Sequence, residues 1–121
     1  MSGTVTITER KHTPVKLVKF AWTSNTGGAA TTSTANIYDG SVLGLATVPD
    51  GVAAPTDNYD VAINDDNGLD VLAGAGVNRD TANTEYITNQ DNLNCVSGSK
   101  LNLSVSNAGS EKSGETYIWI R

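Results

Sequence analysis

From Thr4 to Ile120 the apolar residues fall in short runs with a two-residue period, separated by stretches of Gly, Asn, Asp, Ser and Thr. That period places successive side chains on opposite faces of an extended chain, so each run predicts a half-buried β-strand. Val5 and Ile7 alternate with Thr4, Thr6 and Thr8. A second run extends from Val15 to Trp22, with Pro14 at its entrance, where a missing N–H does least harm. Its phase shifts: Val15 and Leu17 share one parity, and Val18, Phe20 and Trp22 the other. Either a β-bulge near Leu17–Val18 or a strand buried on both faces reconciles the two. Ala35–Tyr38 and Val42–Val48 flank Asp39-Gly40, which predicts a hairpin. Tyr59–Ile63 and Leu69–Leu72 predict a second one, closed at Asn67-Gly68. Short strands are expected at Thr84–Thr88, at Leu101–Val105, and at the chain end, where Thr116, Ile118 and Ile120 alternate with Tyr117, Trp119 and Arg121. Segments 24–33, 49–56, 73–83, 89–99 and 107–114 are too polar or too small-chained for core and are expected as loops.

No window of eleven or more residues carries a helical stripe. Eight or nine short strands in 121 residues predict an all-β, two-sheet sandwich, jelly-roll-like or immunoglobulin-like. The expected organisation is an N-terminal strand or arm over 1–12 and a single β-sandwich domain over 13–121. A chain of this size buries roughly two-thirds of its unfolded surface, enough for one modest core.

Composition narrows the function classes. Gly, Ser, Thr and Asn number 49 of 121 residues, whereas Lys and Arg number 8, and His and Cys one each. No apolar run reaches the length of a membrane-spanning helix. One Cys excludes an intramolecular disulfide framework and a multi-cysteine metal site. A net charge of −5 argues against a nucleic-acid partner, which needs a concentrated basic face. The charge is unevenly placed: residues 39–91 hold ten acids and only Arg79 as a base, while Arg10, Lys11, Lys16 and Lys19 cluster near the N-terminus. Asp-rich turns explain the acidic block by local hydrogen bonding. A sharper reading is a bipolar subunit whose basic end docks an acidic partner.

Candidate chemistry is thin. Asp65-Asp66-Asn67-Gly68, with Asp57, Asp60 and Asp70 nearby, resembles a calcium loop. Its EF-hand register fails, because Ile63 and Gly74 fall where acidic ligands are required, so a hairpin turn is the expectation. Gly74-Ala75-Gly76 lacks the Gly-Lys-Ser/Thr of a phosphate loop and the third glycine of a dinucleotide fingerprint. His12, the one imidazole, sits between Lys11 and Thr13 before Pro14 in an expected exposed turn, and no G-x-S-x-G elbow exists. Cys95 reads as a small semi-buried residue, and the Asn102-Leu103-Ser104 glycosylation pattern as an accident within a strand. No catalytic residue, cofactor or metal is expected. Tyr59 with Asp57, Asn58 and Asp60 is the best sugar-binding cluster of the sequence. On the last strand one of the two faces must be core, leaving the other partly exposed or against a partner, and aromatic residues favour interface centres.

Several segments together carry a resemblance: Gly3–Glu9, Val15–Ser24, Val48-Pro-Asp-Gly51, Pro55–Val61, Asp70–Arg79, Leu101–Gly109 and Lys112-Ser-Gly114. The pattern resembles a group of small structural proteins of tailed bacteriophages, found among the head genes, similar to capsid decoration or cement proteins. The resemblance implies a non-enzymatic virion protein on the outer capsid surface that stabilises the shell by bridging major capsid subunits, and is made in the bacterial host cytoplasm, in line with the polar N-terminus. The implied partners are the major capsid protein and further copies of the chain, as a homodimer or homotrimer, with no nucleic acid and no membrane. A head–tail joining, tail or fibre-associated protein, or a carbohydrate- or surface-binding sandwich module, is the alternative. The residues expected at a partner interface are Val5, Ile7, Arg10, Lys11, Lys16, Tyr117, Trp119 and Arg121.

Overall fold

The computed structural model describes residues 3–88 and 93–121. Among them are nine strands and no helix: β1 (Thr4–Arg10), β2 (Lys16–Thr23), β3 (Ala30–Ser33), β4 (Tyr38–Pro49), β5 (Asp60–Asn64), β6 (Glu85–Thr88), β7 (Cys95–Ser99), β8 (Asn102–Ser106) and β9 (Ser113–Ile120). They form a two-sheet sandwich. The larger sheet runs β1-β2-β9-β4-β6, with β7 also paired to β4, and the smaller runs β3-β8-β5. All pairings between strands are antiparallel.

The pairings are nested. β2 pairs β9, β3 pairs β8, β4 pairs β7, and β5 touches the following segment through an Asn64–Asp70 bridge. Rolling such a ribbon brings β9 onto β4 in one sheet and β8 onto β5 in the other. This is the interleaving of a jelly-roll-like sandwich. The place of a fourth strand in the smaller sheet is taken by an irregular segment over 69–79 that still satisfies the free edge of β5. Val71 N–H donates to Ile63 O at 2.8 Å, Val61 N–H to Gly76 O at 2.8 Å, and Arg79 N–H to Tyr59 O at 2.7 Å. An edge covered in this way is closed to foreign strands.

The core lies between the sheets. Val18, Phe20 and Trp22 of β2, Ile118 and Ile120 of β9, and Leu45 of β4 meet Val61, Ile63, Leu103 and Val105 from the smaller sheet. Trp22 packs on Tyr59 across the gap, ring centroids 5.6 Å apart. Val71 and Leu72, from the irregular segment, plug the open side. Glu9 fastens the β1 edge to the 35–38 crossover. Its carboxylate accepts from Tyr38 Oη–H at 2.7 Å, Ala35 N–H at 3.2 Å, Asn36 N–H at 3.3 Å and Asn36 Nδ2 at 3.1 Å. Partial burial raises its pKa, but the four donors outweigh that and hold the carboxyl below the ordinary range.

Several sequence expectations change. Asp39-Gly40 closes no hairpin, because the chain runs through it as one twelve-residue strand. Gly40 sits at φ +131° against the backbone carbonyl of Arg121, with no room for a Cβ, and the β4–β7 register shifts there. The glycine marks a close approach and not a turn. In the second expected hairpin the turn exists (Asp65 N–H to Leu69 O at 2.9 Å), but its returning strand shrinks to the Asn64–Asp70 bridge. The expected loops 24–33 and 89–99 contain β3 and β7, although 89–92 lie outside the described residues. β2 pairs both neighbours without a register break, so no bulge resolves its phase shift. Instead Leu17 lies half-buried on the outer face, opposite Trp119.

Two outcomes follow from this packing. A Cβ at Gly76 would collide with the Val61 carbonyl, so Gly76→Ala should lower the urea-unfolding free energy by about 1–3 kcal/mol; unchanged stability would show that the segment does not hold the β5 edge. The depressed Glu9 pKa stabilises the fold above the unfolded carboxylate value of about 4.3, and that stability is lost as pH falls from there through the lower folded value. Glu9→Gln should therefore cost about 1 kcal/mol at pH 7, after allowance for solvent screening, and flatten the acid limb of the stability profile. An acid limb identical to that of the parent protein would refute the assignment.

Candidate functional site

The registers decide which side of the larger sheet is free. On β9, Thr116, Ile118 and Ile120 are fully buried in the core, so Tyr117 and Trp119 point outward. Opposite them on β2 stand Lys19 and Leu17, and on β4 Ala46 and Gly44. The outer face thus changes character along the strands.

At one end the four registered strands gather bases. Arg10 pairs Leu17, Lys16 pairs Ile120, Lys11 begins the β1–β2 turn, and Arg121 follows β9 with its N–H on Ser41 O at 2.9 Å. Four of the eight bases of an acidic chain meet here. Asp39, on β4 beside Lys16, has a carboxylate oxygen on the Gly98 N–H, and its carbonyl accepts Lys16 Nζ at 3.5 Å.

In the middle lies an aromatic strip. Tyr117 and Trp119 stack at 5.9 Å between centroids with their planes 12° apart. Ala46 leaves the floor low between this pair and Tyr86 on β6, which is 74% exposed. The result is a trough of about 280 Å³, closed at one end by Val48 and Thr84. Its aromatic walls are two strand spacings apart, about 10 Å.

Beyond Tyr117 the surface turns polar. Glu115 is held by Lys19 Nζ at 3.0 Å and by the Tyr117 hydroxyl at 3.1 Å. Lys19 also sits 5.7 Å above the Tyr117 ring, and its hydrogen bond with Glu115 raises its pKa. A cleft of about 460 Å³ follows, floored by Ala21 and Gly114 and walled by the hydroxyls of Thr4, Thr6, Thr23 and Ser113. Glu115 and Asp50 supply its carboxylates. The Asp50 pKa is lowered by the N–H groups of Ala53 and Val52.

Of the interface residues read from the sequence, Arg10, Lys11, Lys16 and Arg121 come together at the basic end, and Tyr117 and Trp119 form the strip beside them. Val5 and Ile7 do not join them: both pack inward against the core. Tyr86 was visible in the sequence only as one of six aromatic residues that could serve a sugar platform or an interface, whereas Glu115 and the threonines of the cleft were missed as site residues. Their only signal was their parity, which becomes meaningful once the register is known.

The remaining candidates serve the fold. Asp65 accepts the N–H groups of Asn67 and Leu69, Asp70 those of Leu72 and Gly74, and Asp66 that of Lys100. The Asp66 pKa is lowered, chiefly by its Asn102 partner. Among the described residues no three His, Cys, Asp or Glu side chains group to hold a metal. Tyr59 is fully buried and its phenol is pushed up to about 12, so the Asp57–Asp60 cluster offers no ring to a sugar. His12 is exposed in the β1–β2 turn, and Cys95 is exposed at the start of β7. No helix of the described residues is long and apolar enough to cross a membrane. Comparison with family models, with curated proteins and with solved structures returns no match.

The two faces of β9 should differ in what they cost to lose. Ile118→Ala should lower stability by about 2–5 kcal/mol, as for a filled core site, and Trp119→Ala by appreciably less, because its ring lies on the outer face. Equal losses in denaturant titrations would place Trp119 in the core.

Proposed function

We propose that the chain is a non-enzymatic virion structural protein that decorates and cements a bacteriophage capsid by bridging major capsid subunits. It would be made in the bacterial host cytoplasm and would reside on the outer capsid surface, as a homodimer or homotrimer. The sequence resemblance to small tailed-phage head proteins motivates the reading. The observation that carries it is the meeting of Arg10, Lys11, Lys16 and Arg121 at one end of a sandwich whose net charge is −5. A concentrated basic end on an acidic body orients the subunit toward an acidic surface and speeds productive encounter. A protein that binds the assembled shell and not its loose subunits stabilises the shell by mass action. Repetition over a symmetric lattice then makes modest contacts sufficient.

The test is co-sedimentation of the purified protein with shells that lack it. Saturable binding that weakens with salt is expected. The double variant Arg10→Glu, Lys11→Glu should bind at least about tenfold more weakly, a loss of roughly 1.4 kcal/mol, with an unchanged melting temperature, since both side chains lie at the rim. Binding to tail or connector particles but not to shells would overturn the capsid reading. Undiminished binding by the charge-reversed variant would remove the basic end as the docking surface.

A further inference from the structure

We infer that the outer face of the larger sheet is a binding groove for an uncharged oligosaccharide. The aromatic trough and the hydroxyl cleft are one surface, sharing Val48 and meeting where the Tyr117 hydroxyl reaches Glu115. Together they cross the sheet from β6 to β1, four strand spacings or about 19 Å. That is room for a short chain of sugar rings and more than one ring needs.

The two halves match the two faces of a pyranose. Its C–H face is apolar and seats on an aromatic ring, which Tyr86, Tyr117 and Trp119 provide. Its rim of hydroxyls both donates and accepts. The cleft answers with threonine and serine hydroxyls, which do the same, and with carboxylates, which accept. Thr23 Oγ1 and Ser113 Oγ, 2.9 Å apart, can exchange donor and acceptor roles to suit a ligand.

Charge selects the ligand class. The cleft holds two carboxylates, Glu115 and Asp50, and the adjoining cation, Lys19, is already paired with Glu115 at 3.0 Å. An anionic glycan would meet repulsion, whereas a neutral one meets acceptors. The groups are also set before binding: Tyr117 is fixed by its stack on Trp119 and its bond to Glu115, and Asp50 by two backbone donors. Little ordering entropy remains to oppose the ligand. A protein partner fits less well, because interface centres are depleted in charge and the apolar part here is a narrow trough beside a polar cleft. The groove lies along the sheet face and not at the basic end, so it stays open in a subunit docked by that end.

The full chain should be titrated calorimetrically with cellohexaose, mannohexaose and maltohexaose, with a polygalacturonate oligomer as the charged comparison. At least one neutral hexasaccharide should bind with a Kd below about 1 mM, and polygalacturonate should not. Tyr117→Ala and Tyr86→Ala should each weaken that binding by about tenfold or more. Tyr86 is exposed, so its variant should keep the parent melting temperature and separate loss of binding from loss of fold. Arg10→Glu, Lys11→Glu should bind the sugar as the parent does, whatever it does to shell binding, so the two readings fail separately. Binding of none of the three neutral probes, preference for polygalacturonate, or equal binding by both tyrosine variants would overturn the inference. A change of oligomeric state in Tyr86→Ala, seen by sedimentation, would also overturn it by making the trough a contact between copies.

Discussion

Ser113–Ile120, the last strand of the chain, hydrogen-bonds to β2 along one edge and to β4 along the other. Everything on the larger sheet takes its place from that double pairing. Once Ile118 lies opposite both Val18 and Leu45, Ile120 and Thr116 must also face the core, and Tyr117 and Trp119 must face out. A slip of one residue would put two large aromatic rings between the sheets and two isoleucines in water. The register also carries the basic end, since it sets Arg121 beside Ser41 and Lys16 opposite Ile120. The central strand pairs with a strand nearly a hundred residues earlier. The fold therefore depends on long-range closure, and strands waiting for it need protected edges.

Protection comes largely from acidic residues used as clasps. Asp60 holds Asn78 N–H and Asn107 Nδ2, Asp70 ties its own turn, Asp80 caps Ala82 and Asn83, and Glu9 gathers the crossover before β4. These contacts pin the irregular segments against strand edges where a regular strand is missing. The acidity of residues 39–91 is thus a consequence of building many tight turns from Asp. Among the described residues the ion pairs are Lys19–Glu115 and Arg79–Glu85, and neither takes a base from the end where Arg10, Lys11, Lys16 and Arg121 gather.

Seven of the strands were legible: β1, β2, β5, β8 and β9 because alternation is visible wherever one face is buried and the other is polar, and β6 and most of β4 from the expected strands at Thr84–Thr88 and Val42–Val48. β3 and β7 were not, because Ala30–Ser33 and Cys95–Ser99 hold small and polar residues with no preference of their own and become strands only by pairing with β8 and β4. Asp39-Gly40 misled for a related reason. Glycine signals a need for backbone freedom or for space, and only tertiary structure says which; here the Arg121 carbonyl occupies the space. The basic end was half legible, since Arg10, Lys11 and Lys16 are close in sequence, whereas Arg121 joins them only through β9.

The groove could not be read from the chain, because its most decisive residues are the ones with least chemistry. Gly44 and Ala46 are unremarkable in sequence, yet they occupy the outward positions of β4 between Trp119 and Tyr117 on one side and β6 on the other. Larger side chains there would fill the trough and level the face into an ordinary solvated sheet. Ala21 does the same for the cleft, whereas Gly114 shares the inward parity of Thr116 and Ile118 and lines the cleft with its backbone alone. A Cβ on Gly114 would come within 2.6 Å of the Trp22 ring, so core packing already holds that position small. The floor of the cleft is therefore fixed by the core beneath it. At the trough Ala46 is itself almost fully buried, and a Cβ on its neighbour Gly44 would sit 3.7 Å from the Trp119 ring and only 3.2 Å from the Ile87 carbonyl, so the backbone of β6 and the ring above keep that position small as well.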